Sequence, residues 1–227
     1  GCRAVGQFAG RWRDPSRRGA ILMIVYNFDQ YPPEWCAIRQ GIPTASGFDS
    51  IVTPTGKEST SADTYMHKLL AEWLTGKSVE TYTNEHMERG KILEAEARNY
   101  YEFTRDCAVE QVGFCASDDE LSGCSPDGLV AGTRGGLEIK CPAPGTHVQY
   151  LLDGKAPTKY LPQIQGSMMI TGADWWDFLS YHPDMPPVLV RVDRDEEYIK
   201  TMTAILARFT AKMLMKRAQL AKFRAAA

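Results

Sequence analysis

Ser125-Pro126-Asp127-Gly128, followed after a glycine-rich turn by Gly136-Leu137-Glu138-Ile139-Lys140-Cys141-Pro142, is the stretch on which the reading of this chain turns. Pro126-Asp127-Gly128 marks one turn and Gly132-Thr133-Arg134-Gly135-Gly136 marks another. The residues beside them read as strands over about 127–131 and 136–141. Glu138 and Lys140 are two apart, so on a strand they project from one face while Ile139 turns into apolar packing. A hairpin can therefore bring Asp127, Glu138 and Lys140 to one point. Apolar neighbours imply a buried strand, where an unsatisfied Glu and Lys are costly unless a metal or a partner compensates them.

Hydrolysis of a phosphodiester calls for these residue types. Carboxylate oxygens hold a hard cation such as Mg²⁺ and leave positions for water and a substrate phosphate. The cation lowers the pKa of its water and polarises the phosphoryl oxygen. A neighbouring lysine can orient the nucleophile and counter charge that develops in the transition state.

Working outward, residues 34–39 and 44–52 read as short helical pieces around Gly41-Ile42-Pro43. Helices are expected over 62–75, with Tyr65, Leu69, Leu70 and Trp73 on one face and Gly76 as the stop, and over 85–104. A strand is expected over about 108–115, a helix over 158–171, strands over 174–181 and 187–193, and a final helix over 195–223. That order predicts an α/β domain with a mixed central sheet flanked by helices. Residues 1–22, rich in Arg and Gly, read as an N-terminal extension with Met23 as an alternative start, ahead of a single domain over 23–227.

The chain has 227 residues, 44% hydrophobic and 24% charged, which excludes disorder and a disulfide scaffold. No apolar run approaches the roughly 18 residues of a spanning helix, and the N-terminal arginines break any secretory pattern. A cytoplasmic location without membrane contact is expected. Six cysteines form no Cys-x-x-Cys pair, so buried free thiols are expected rather than zinc. The net charge of -2 conceals segregation. Residues 1–22 carry five Arg against one Asp, residues 198–227 carry seven Lys and Arg and no acid, and the body between them is acidic. Such a body has carboxylates to spare for cations, and the basic ends suit an anionic partner.

Pro126-Asp127, ten residues, then Glu138-Ile139-Lys140 matches the PD-(D/E)xK nuclease signature. More narrowly, the chain resembles the phage lambda exonuclease family of viral recombination nucleases. The resemblance runs from about Trp35 to Phe209. It includes Ile38-Arg39-Gln40-Gly41-Ile42-Pro43-Thr44-Ala45-Ser46, Gly90-Lys91-Ile92-Leu93-Glu94-Ala95-Glu96-Ala97 and Tyr160-Leu161-Pro162-Gln163-Ile164-Gln165, besides the two stretches quoted above. The resemblance implies a restriction-endonuclease-like core and a Mg²⁺-dependent (or Mn²⁺-dependent) processive 5′→3′ exodeoxyribonuclease. Such an enzyme degrades one strand of a linear duplex from a 5′-phosphorylated end and leaves a 3′ tail for recombination. It further implies a homotrimeric ring around the DNA and a single-strand annealing protein as partner.

Carried onto this sequence, the resemblance makes Asp127, Glu138 and the Ile139 carbonyl metal ligands, with Glu94 a further carboxylate near the metal. Lys140 positions or activates the nucleophile, and Gln163 orients the lysine or the phosphate, with Gln165 the other candidate for that place. Arg39, Ser46 and Ser125 form a pocket for the terminal 5′-phosphate. Arginine grips phosphate through a bidentate fork, and Ser46 lies where a helix N-terminus is expected. The loop Val52 to Lys57 lacks the arginine that the lambda enzyme places at DNA. Another PD-(D/E)xK endonuclease, or a non-catalytic DNA-end-binding adaptor, stands as the alternative.

Overall fold

The computed structural model describes residues 8–12, 23–30, 33–78 and 85–224. In chain order the strands and helices are β1 (Phe8–Trp12), β2 (Met23–Tyr26), α1 (Pro33–Arg39), α2 (Ala62–Thr75), α3 (Glu85–Arg105), β3 (Val109–Glu110), β4 (Phe114–Ser117), β5 (Gly123–Cys124), β6 (Gly128–Val130), β7 (Gly135–Lys140), α4 (Pro144–Asp153), α5 (Leu161–Thr171), β8 (Trp175–Ser180), β9 (Val188–Asp193) and α6 (Glu196–Arg224). Short 3-10 turns over Ala45–Ser50 and Thr158–Tyr160 precede α2 and α5.

Two sheets result. One is antiparallel, in the order β1-β2-β4-β5; the other is mixed, in the order β3-β6-β7-β8-β9, and only β7 and β8 run parallel in it. The mixed sheet flanked by helices is the α/β architecture expected. The antiparallel sheet was not expected. It breaks the single strand read over 108–115 into β3 and β4, which belong to different sheets. Val109 and Glu110 pair with β6, whereas Phe114 and Cys115 pair with β2. A continuous apolar run cannot reveal a change of partner in its middle. β1 lies inside the segment read as an extension and pairs with β2; the remainder of 1–22 lies outside the described residues.

Helix α4 was also missed, although its punctuation is in the sequence. Pro144 sits in the first turn, where its missing N–H costs nothing, and Gly154 closes the helix in the left-handed conformation at φ 60°. The same left-handed glycine closes α2 and α5 at Gly76 and Gly172. The residues read as a helix over 44–52 form the shorter 3-10 turn.

The larger core joins the antiparallel sheet to α2, α5 and α6 through Met23, Cys115, Phe48, Met66, Leu69, Ile170, Met202 and Phe209. Leu214 of α6 lies outside this core and is 40% exposed. A second cluster puts Ala97 and Tyr101 of α3 against Leu137 and Ile139 of β7. The buried Asp177 of β8 anchors α3: it accepts the Tyr101 hydroxyl at 2.8 Å and both Arg191 donors at 2.9 and 3.0 Å. Of the cysteines, Cys115 and Cys124 are buried and face each other across β4 and β5, Cys107 and Cys141 are half-buried, and Cys36 is exposed. The expectation of buried thiols therefore holds for two of the five described. Among the described residues no helix is long and apolar enough to cross a membrane.

Helix α5 approaches the 3-10 turn so closely that a Cβ on Gly166 would lie 2.4 Å from Phe48 Cδ2, a buried ring in the main core. Gly166→Ala should therefore destabilise the fold by about 1–3 kcal/mol despite alanine's better helix propensity, as measured by urea unfolding. Gly145→Ala, with nothing within 4 Å of the added carbon, should show no such loss.

Candidate active site

Strands β6 and β7 are antiparallel and their last pair toward the site is Gly128↔Leu137. One step further along the same register sets Asp127 across from Glu138, with both side chains on one face. Asp127 Oδ2 accepts the Ile139 N–H at 2.6 Å. A strand residue sends its N–H and C=O to the same side, so the Ile139 carbonyl also faces the gap left where β6 ends. Lys140 faces the opposite edge, and its carbonyl accepts the Tyr181 N–H at 2.9 Å.

Glu138 is 2% exposed. Its Oε1 lies 2.5 Å from Lys140 Nζ and accepts Gln163 Nε2 at 2.6 Å. The site face of β7 is thus covered by α5, which carries Gln163, and by Tyr160, whose ring centroid lies 5.2 Å from Lys140 Nζ. Gln165 does different work. It donates to the Asp193 carbonyl at 2.9 Å and accepts the Asp195 N–H at 3.0 Å, which ties α5 to the start of α6. Of the two glutamines left open by the sequence, Gln163 is the one at the acids.

Burial, reinforced by the facing Glu138 carboxylate, pushes the Asp127 carboxyl well above its usual range, with Lys140 pulling the other way. Burial acts to lower the Lys140 pKa, but Glu138 and Asp127 outweigh it, and the ammonium is held above its ordinary value as a cation. Glu94 stands at the margin. Burial raises its pKa, it feels Lys140 and Glu138, and its Oε1 is paired with Arg98 Nη2 at 2.7 Å.

Two facing carboxylates and a main-chain carbonyl are hard oxygen donors. The second oxygens, Asp127 Oδ1 and Glu138 Oε2, take no hydrogen bond among the described residues. Such a donor set fits Mg²⁺, which binds through one or two carboxylates and keeps its other positions for water and phosphate. No group of three or more His, Cys, Asp or Glu side chains forms a cage among the described residues.

Arg39, Ser46 and Ser125 form a second cluster. Arg39 Nη1 donates to Ser125 Oγ at 2.7 Å and Nη2 reaches Ser46 Oγ at 3.5 Å, while Thr44 Oγ1 lies 3.2 Å from Ser46 Oγ. Ser46 is exposed and stands at the start of the 3-10 turn. The two clusters are joined by Ser125-Pro126-Asp127, the link between β5 of one sheet and β6 of the other.

Three residues the sequence did not single out hold this link. Trp35 Nε1 donates to Ser125 Oγ at 2.9 Å, Gln30 Nε2 donates to the Pro126 carbonyl at 2.8 Å, and Arg98 Nε donates to the Asp127 carbonyl at 3.1 Å. Their partners are 90, 96 and 29 positions away, beyond the reach of any local pattern. Only the placing of Arg98 four residues after Glu94 was a readable signal.

Residues 34–174 match the family described as the YqaJ-like viral recombinase domain. Among solved structures, an alkaline exonuclease (LHK-Exo) from Laribacter hongkongensis is 32% identical with a TM-score of 0.76, over 86% of this chain and 98% of that one. LHK-Exo in complex with dAMP gives 33% identity and a TM-score of 0.77 over the same shares. A phage related exonuclease from Haemophilus somnus 129PT, 17% identical with a TM-score of 0.57 over 77% of this chain and 96% of that one, shares the fold. No curated protein matches the chain. The chain belongs to the YqaJ-like viral recombinase family, a lambda-exonuclease-like group, and has the fold of an alkaline exonuclease.

Proposed function

We propose that this protein is a Mg²⁺-dependent, processive 5′→3′ exodeoxyribonuclease. On this reading it degrades one strand of linear duplex DNA to mononucleotides and leaves 3′ single-stranded tails for phage-type homologous recombination. The coarser part, a nuclease role in recombination, comes with the family and the alkaline exonuclease fold. One observation supports the finer part: the Arg39 cluster and a pair of facing acids stand two residues apart on one link, at Ser125 and Asp127. A terminal phosphate held by the first leaves the neighbouring phosphodiester at the second. The product is then a mononucleotide, the kind of molecule that LHK-Exo holds in its dAMP complex.

Each residue has a task that follows from its surroundings. Asp127, Glu138 and the Ile139 carbonyl would hold Mg²⁺, with Glu94 beside them, and Mn²⁺ would serve the same donors. The bound cation would activate water and neutralise charge on the phosphoryl group. Lys140 stands beside the two acids, which hold its ammonium above its ordinary pKa. It orients the attacking oxygen and offsets developing negative charge. Gln163 fixes the rotamer of Glu138 through its amide. Arg39 grips the 5′-phosphate, with hydroxyl support from Ser46 and Ser125.

The reading extends, on the strength of the resemblance, to a homotrimeric ring that encloses the duplex, to a single-strand annealing protein that receives the 3′ tail, and to the cytoplasm as the place of action. A ring accounts for processivity, because an enclosed duplex cannot diffuse away between cleavages.

A duplex labelled at one 5′ end should release labelled mononucleotide at once in Mg²⁺ and nothing in EDTA, while a 3′ label stays in polymer. Covalently closed circular duplex should remain intact. Glu138→Ala should lower the rate on linear duplex by at least about 10³-fold, and survival of the activity would overturn the mechanism.

Mg²⁺ added without DNA should raise the melting temperature. At 100 times the dissociation constant it should contribute about 2.7 kcal/mol. Asp127→Asn should melt higher than the parent protein in EDTA, because the repulsion of the facing acids is gone, and should lose most of the Mg²⁺-induced shift. In solution, light scattering should report the mass of three 25.3 kDa chains.

A further inference from the structure

The pocket that the proposed function assigns to the 5′-phosphate contains a residue with no assigned part, Trp35. It is half-buried at the inner end of the cluster, on α1, one turn before Arg39. Its indole N–H is shared between the Gly113 carbonyl at 3.0 Å and Ser125 Oγ at 2.9 Å. The Arg39 guanidinium carbon lies 4.0 Å from the centre of its ring. One side chain therefore touches both of the main pocket groups, through an edge donor in one case and a π face in the other.

The arithmetic of the Ser125 hydroxyl gives this contact its meaning. A serine hydroxyl has two lone pairs and one hydrogen. Trp35 Nε1 and Arg39 Nη1 both donate to Ser125 Oγ, and so take up both lone pairs. The hydrogen must then point elsewhere, and no described residue accepts it. An anion in the pocket is the acceptor such a hydrogen suits. Without the indole donor, one lone pair is released and the hydroxyl can rotate to other partners. Trp35 also limits Arg39: a guanidinium stacked on an indole face keeps its plane while its edge donors remain available.

We propose that Trp35 is the positioning residue of the terminal-phosphate pocket, stacking Arg39 and turning the Ser125 hydroxyl into an obligate donor, and so sets the preference for 5′-phosphoryl over 5′-hydroxyl ends. This rests on the assignment of Arg39, Ser46 and Ser125 to that phosphate. The described contacts of Trp35 are to Ser125, Arg39 and the Gly113 carbonyl, so its effect is expected in end preference rather than in the bond-breaking step.

The test uses the full-length protein in Mg²⁺ and two linear duplexes of one sequence that differ only in a 5′-phosphoryl or 5′-hydroxyl end. The readout is the ratio of their kcat/KM values. Trp35→Phe keeps a ring beneath Arg39 but removes the N–H, and should lower the ratio about fivefold, the worth of one hydrogen bond. Trp35→Leu removes both contacts and should lower it further, by about tenfold or more in total. A purely structural role would slow both ends alike and leave the ratio unchanged; that result in both variants overturns the proposal. Arg39→Ala separates this from failure of the pocket itself. If Arg39→Ala leaves the ratio unchanged, the phosphate assignment falls and the Trp35 proposal falls with it. If Arg39→Ala collapses the ratio and the two Trp35 variants do not, the pocket stands and Trp35 has no part in it.

Discussion

Two like charges placed opposite each other on neighbouring strands are the central constraint of this structure. The β6 and β7 register leaves Asp127 no position other than across from Glu138. Facing carboxylates in a strand pair are ordinarily destabilising, and here Glu138 is withdrawn from water as well. The surroundings compensate in a one-sided manner. The Ile139 N–H, the Lys140 ammonium and the Gln163 amide each engage one oxygen of an acid and leave the second open. That is the distribution expected of a centre that needs a further positive charge to be complete, and it accounts for the burial of a carboxylate in a strand whose other residues are two glycines, Leu137, Ile139 and the terminal Lys140.

The remaining elements hold that arrangement. α3 lies on one face of β7 through Ala97 and Tyr101, and Asp177 secures it by accepting the Tyr101 hydroxyl. The same helix supplies Arg98, whose guanidinium reaches both Glu94 and the Asp127 carbonyl. α5 covers the other face. Two of its residues, Gln163 and Gln165, point to different places, one to the acids and the other to the junction of β9 with α6. A polar residue in an apolar helix needs a partner, and each has one. The mixed sheet alone would have been a scaffold for the acids. Only its junction with the antiparallel sheet brings the Arg39 cluster beside them.

Much of this was legible in the sequence, for reasons that can be named. The central helices and the strands β7, β8 and β9 announce themselves because their apolar periodicity is long and their ends carry glycine or proline. Asp127, Glu138 and Lys140 could be grouped because strand alternation and a short turn are local rules. Gln163 and Gln165 could not be told apart, since what separates them is the position of β9 and α6. The strand β2, the helix α4 and the division of 108–115 between two sheets escaped for a related reason: short elements take their identity from partners. Trp35, Gln30 and Arg98 escaped altogether. Each acts through a hydrogen bond to a distant residue, and no spacing rule encodes such a bond.

The link Ser125-Pro126-Asp127 is stitched along its length, by Trp35 and Arg39 at its start, Gln30 at its middle and Arg98 at its end. Two steps of extended chain span at most about 7 Å, and proline removes one of the torsions through which the span could vary. The separation of its two ends is therefore a gauge cut to a single length. Loops elsewhere can lengthen or shorten without recalibrating it. Insertion of even one residue here would reset the spacing at a stroke and leave both clusters intact but out of step.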